Sequence, residues 1–122
     1  MTSPLKLLLA PVEWVVRKLG TTQEVTRDPD VQARVDSECR ALAFYQSRNS
    51  PESIQVRREI TRLGLDIAVC DVQIDPEHRR ALQAATGRVE VPCLRIVNAG
   101  GEDDWLFGVA AIRDYLRRRF AP

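Results

Sequence analysis

From Arg40 onward, apolar runs of strand length alternate with helix starts of a single design, and few folds accommodate that alternation. Ala41 to Tyr45 is a short apolar run rich in strand formers, which predicts a buried strand. Ser50-Pro51-Glu52 then supplies a capping hydroxyl, a preorganised proline and an acid that suits the helix dipole. The helix it opens turns Ile54, Ile60 and Leu63 inward and ends at Gly64, where a left-handed C-terminal cap belongs. Leu65 to Val72 reads as the second strand, and Asp75-Pro76-Glu77 repeats the start of a helix that reaches Gly87. Cys93 to Val97 is the third strand, the Gly100-Gly101 stretch a hairpin turn, and Trp105 to Phe107 the returning strand. The last helix runs from Val109 to Phe120 and buries Ile112, Leu116 and Phe120, with Arg113, Arg117, Arg118 and Arg119 as a solvated basic end. A strand–helix–strand start requires a parallel pair with a right-handed crossover, whereas a Gly-Gly hairpin requires an antiparallel pair. A mixed four-stranded sheet flanked by helices meets both conditions.

The first 39 residues read as a helical extension and linker, and residues 40–122 as the domain proper. Leu5, Leu8, Leu9, Val12, Val16 and Leu19 follow helical spacing, and Pro11 with Glu13 predicts a helix from about Pro11 to Leu19. Lys6 and Glu13 interrupt the apolar stretch, which is too short to cross a bilayer. Two readings of this helix stay open: packing on its own domain, or docking on an anionic membrane surface or a partner. Thr21 to Pro29 reads as a polar linker, and Asp28-Pro29-Asp30 as the cap of a helix to Glu38 that turns Val31, Val35 and Cys39 inward.

Charge narrows the function. With 18 Lys and Arg against 17 Asp and Glu, the formal charge is +1, which lacks the basic footprint of a nucleic-acid binder. Three scattered cysteines neither close a disulfide framework nor offer metal-ligand spacing, so no metal site is expected. A cytoplasmic location is the simplest reading, with peripheral contact at the inner face of the membrane if the first helix docks there.

Two local features sharpen the fold. Tyr45-Gln46-Ser47-Arg48-Asn49-Ser50-Pro51-Glu52-Ser53, followed by Val56-Arg57-Arg58, resembles the active-site loop and first helix of a glutaredoxin. Val91-Pro92-Cys93-Leu94 is similar to the loop that carries a cis-proline opposite that site in glutaredoxins and in the amino-terminal domain of glutathione transferases. The resemblance covers about Ala41 to Phe120. It implies a thioredoxin-like α/β fold and a ligand groove formed by Ser50, Pro51, Ser53, Val91 and Pro92.

The departure from the family pattern governs the chemistry. Where glutaredoxins read Cys-Pro-x-Cys, this chain reads Ser50-Pro51-Glu52-Ser53. Disulfide exchange needs a thiolate, which a helix amino terminus generates by depressing a cysteine pKa. A serine hydroxyl there stays neutral and forms no mixed disulfide. The active site is therefore expected to be degenerate, without dithiol chemistry. Three functions are left. Ser50, as the candidate catalytic or binding group, donates a hydrogen bond to a glutathione thiolate, as the resemblance to some transferases implies. If the protein is an enzyme, it is then a glutathione-dependent oxidoreductase or transferase-like one. Cys93 is the candidate for lone-thiol chemistry, set against a buried core cysteine. The third reading is a non-catalytic module that holds an extended peptide or partner segment in the groove. His78, the single histidine, is expected on a solvated helix face.

Overall fold

The computed structural model describes residues 23–122. The helix expected from Pro11 to Leu19, and the question of what it docks on, lie outside the described residues. In chain order the elements are α1 (Pro29–Cys39), β1 (Leu42–Gln46), α2 (Pro51–Arg62), β2 (Ala68–Asp71), α3 (Pro76–Thr86), β3 (Cys93–Ile96), β4 (Asp104–Phe107) and α4 (Val109–Phe120). The strands form one sheet in the order β2-β1-β3-β4, with β1 parallel to β2 and antiparallel to β3, and β4 antiparallel to β3.

Proline stands in the first turn of α1, α2 and α3, as the sequence predicts. The Ser50 and Asp75 side chains cap their helices, accepting from the amides of Ser53 and Glu77. Asp28 does not: it holds the N-cap position of α1 but its side chain makes no capping bond. The second strand begins three residues later than expected because Leu65 still belongs to the end of α2. Its amide donates to the Ile60 carbonyl and the Gly64 amide to the Thr61 carbonyl, a Schellman arrangement that requires the positive φ of Gly64 (68°). The described part of the expected linker is likewise strapped down. The amides of Glu24 and Val25 both donate to the Arg62 carbonyl, and Arg27 reaches the carbonyls of Leu63 and Phe120.

Register decides what each sheet face buries. Phe44 lies between Val69 and Leu94, and Leu94 opposite Leu106, so these four share one face. Val35 and Cys39 of α1, Val56 and Ile60 of α2, and Ile112, Leu116 and Phe120 of α4 pack there as the main core. The opposite row, Cys70, Tyr45, Cys93 and Phe107, packs with Val72 and with Leu82 of α3. Val56, not Ile54, completes the inward stripe of α2.

One charged residue joins that stripe. Glu59 is 5% exposed, accepts two hydrogen bonds from Arg117 of α4 (3.0 and 3.1 Å) and one from Arg62 (2.6 Å). Arg119 likewise pairs with Glu38 of α1, so the basic end of α4 clamps helices together as well as facing solvent. Burial alone would raise the Glu59 pKa, but the hydrogen bonds from Arg117 and Arg62 overcome it and hold the carboxyl below its ordinary value. A depressed carboxyl contributes stability that is present above its unfolded pKa of about 4.3 and lost as pH falls through the folded value. The unfolding free energy of the wild type should therefore exceed that of Glu59→Gln at pH 6, with the gap closing towards pH 2. Denaturant titrations at both pH values check this; a gap that stays constant with pH refutes it.

Candidate functional site

The topology gathers the candidate loops at one end of the sheet. β1 and β2 run parallel and finish together at Gln46 and Asp71. β3 runs the other way and starts at Cys93, the register partner of Tyr45, so Val91-Pro92 lies beside the loop that leaves β1. β4, antiparallel to β3, also finishes here, and α4 starts after Gly108. The Val91–Pro92 peptide bond is cis, and the Pro92 carbonyl accepts from the Gly108 amide at 3.1 Å.

The Ser47–Ser53 loop is held by its own hydroxyls. Ser50 Oγ accepts from the Ser53 amide at 3.2 Å, and Ser53 Oγ accepts from the Ser47 amide at 3.3 Å. The Ser50 amide donates to the Ser47 carbonyl at 3.1 Å. The two serines then part in role. Ser53 is fully buried and supports the loop from within. Ser50 is half-buried, and because its oxygen is the acceptor in the cap, its hydroxyl proton is left to donate elsewhere. Pro51 and Glu52 are exposed, Val91 is half-buried and Pro92 is buried.

No thiol shares this end in reactive form. Cys39, Cys70 and Cys93 are all buried. Burial pushes the Cys93 thiol up to about 12, with Arg88 opposing and Glu90 adding to the rise. Burial also raises Cys39 and Cys70. His78 is half-buried, edge-on to the Tyr45 ring with centroids 6.1 Å apart, and its Nε2 lies 3.4 Å from Asp75 Oδ2. That contact with Tyr45 departs from the solvated face expected of it.

The sequence pattern missed a polar chain beneath the loop. Gln46 is 5% exposed; its Nε2 donates to Asp71 Oδ2 at 3.0 Å and its Oε1 accepts from Arg57. Arg57 also donates to the Arg48 carbonyl at 3.3 Å. Asp71 Oδ1 accepts from the amides of Gln73 and Ile74, which fixes the turn into α3. Burial draws the Arg57 pKa below the ordinary arginine value, with Asp71 opposing and Arg48 adding to the fall. The available signal was a glutamine closing an otherwise apolar strand.

A glutaredoxin family model matches residues 43–99, a stretch that contains both loops. Over that stretch, just under half of the chain, the protein resembles glutaredoxins. Its fold is the thioredoxin fold, shared with a glutathione transferase Omega 2S from Trametes versicolor (15% identity, TM-score 0.54) and a trimeric glutathione transferase from Leishmania (24% identity, TM-score 0.55). These alignments cover 65% and 67% of this chain but 36% and 18% of the transferases, so the glutaredoxin-like chain spans only a minor part of either. A wheat glutaredoxin aligns over 75% of this chain and 84% of its own, at 20% identity and a TM-score of 0.49. No curated protein matches the chain.

Proposed function

We propose that this glutaredoxin-like protein binds reduced glutathione in the groove between Ser50-Pro51 and Val91-Pro92, without dithiol redox chemistry. The observation that carries the reading is the Ser50 hydroxyl, which accepts from the Ser53 amide and keeps its proton for an anionic ligand atom. A hydrogen bond from that proton to a glutathione thiolate is charge-assisted and holds the ligand sulfur in its ionised form. Backbone groups of Val91 can pair with an extended tripeptide, as a strand edge does. The family match over both loops supports a glutathione-related role, and burial of all three cysteines favours a role without a protein thiolate. Glu52, exposed beside the site, opposes a negatively charged ligand and points to weak rather than tight binding. The second reading, an extended peptide of a partner in the same groove, rests on the same geometry.

Titration with reduced glutathione should shift the amide resonances of Ser50 and Val91. Ser50→Asp keeps a capping oxygen, removes the donor and adds a charge, so it should abolish the response while the fold persists. Absence of shifts in the wild type at millimolar ligand sinks the glutathione reading and leaves the peptide groove.

A further inference from the structure

We infer that Arg57 is the residue that positions the Ser50 loop, through a chain running Asp71–Gln46–Arg57–Arg48. Its consequence for glutathione rests on the reading above; its consequence for the loop does not. Arg57 sits on α2, yet its guanidinium bridges two other parts of the chain, the Gln46 side chain at the end of β1 and the Arg48 carbonyl in the loop. Gln46 continues the chain to Asp71 at the end of β2, and Asp71 in turn holds two amides of the turn into α3. A planar fork with donors on two nitrogens is suited to this task, whereas a lysine ammonium on a flexible stem does not span both acceptors in one fixed geometry.

Arg57 makes no ion pair among the described residues, and Asp71 reaches it through Gln46. A half-buried guanidinium kept without a carboxylate contact is there for its directional bonds rather than for charge pairing. Removing it orphans Gln46 Oε1 in a site where every buried polar side-chain atom of the described residues is otherwise satisfied. It also frees the Arg48 carbonyl, two residues before Ser50. The loop then keeps only the Ser47–Ser53 and Ser47–Ser50 bonds on that side.

Native-state amide hydrogen exchange on the full chain tests this, with glutathione affinity measured in parallel. In Arg57→Ala the Ser50 amide should exchange about tenfold faster than in the wild type, beyond any change shared by the Phe44 and Leu94 amides of the core. Arg57→Lys, which keeps the charge and the fold, should restore the core amides without restoring Ser50. Glutathione affinity should fall about tenfold in both variants if the loop carries the ligand donor. Equal acceleration at Ser50 and in the core, or full rescue of Ser50 by lysine, overturns the positioning role. A wild type that binds no glutathione overturns the ligand reading alone, and the exchange pattern still decides the role of Arg57. Wild-type binding that survives unchanged in both variants, with Ser50 exchange raised, separates the loop from the ligand and overturns the consequence for glutathione.

Discussion

Ser50→Cys is expected to turn a chain with no reactive thiol into one that takes up a single glutathione. Treated with oxidised glutathione, the variant thiolate attacks one sulfur of the disulfide. A protein–glutathione disulfide forms, and the other glutathione leaves as its thiolate. The position supports the reaction because the N-terminal end of α2 favours a negative group and the side chain is half-buried rather than enclosed. Glu52 in the first turn works against it, so the gain should be larger in Ser50→Cys with Glu52→Gln. Intact-mass measurement reads the result directly. The wild type should gain nothing, since all three of its cysteines are buried. Glutathionylation of the wild type, or an unmodified Ser50→Cys that is folded, would refute the assignment of chemical silence to the two hydroxyls.

Phe44→Ala should cause the largest loss of stability. Phe44 is fully buried on the central strand β1, with Val69 on one side, Leu94 on the other, and α2 and α4 packed over the face. Removing a buried phenyl ring costs about 3–5 kcal/mol, the transfer energy of the ring plus the cavity it leaves. Domains of this size hold about 5–15 kcal/mol in total, so the loss takes a large share of the reserve. Urea unfolding should show a midpoint displaced far downward with an unchanged slope. A shift of less than about 1 kcal/mol would mean that the sheet face is not the core described above.

The parts legible in the sequence are those written in local chemistry. The Asp-Pro or Ser-Pro starts at Asp28, Ser50 and Asp75, the Gly64 ending and the Gly100-Gly101 turn each act over a few residues, and each marks an element boundary. The parallel β1–β2 pair and the antiparallel β3–β4 pair follow from them, whereas the seating of β1 against β3 is set by long-range packing that no local signal writes. Glu59 was not legible. Helical spacing marks its position as inward, but the carboxylate is held there by Arg62 one turn on and by Arg117, which comes from the far end of the chain. Gln46 was missed for the same reason, since its partners, Asp71 and Arg57, come from a neighbouring strand and the following helix. The serine pair was visible, but not its division of labour. The capping position of Ser50 is readable from the sequence, but only burial shows that Ser53 supports the loop from within while Ser50 stays half-buried.

The burial of all three thiols reaches beyond the groove. An outward-facing thiol reports the oxidant level of its surroundings; a molecule that hides all of its own keeps one surface in aerated and reduced media alike. A ligand at Ser50 would therefore meet the same cysteine-free face in either, and any dependence of its occupancy on the electron supply of the compartment would enter through the ligand and not through a protein thiol.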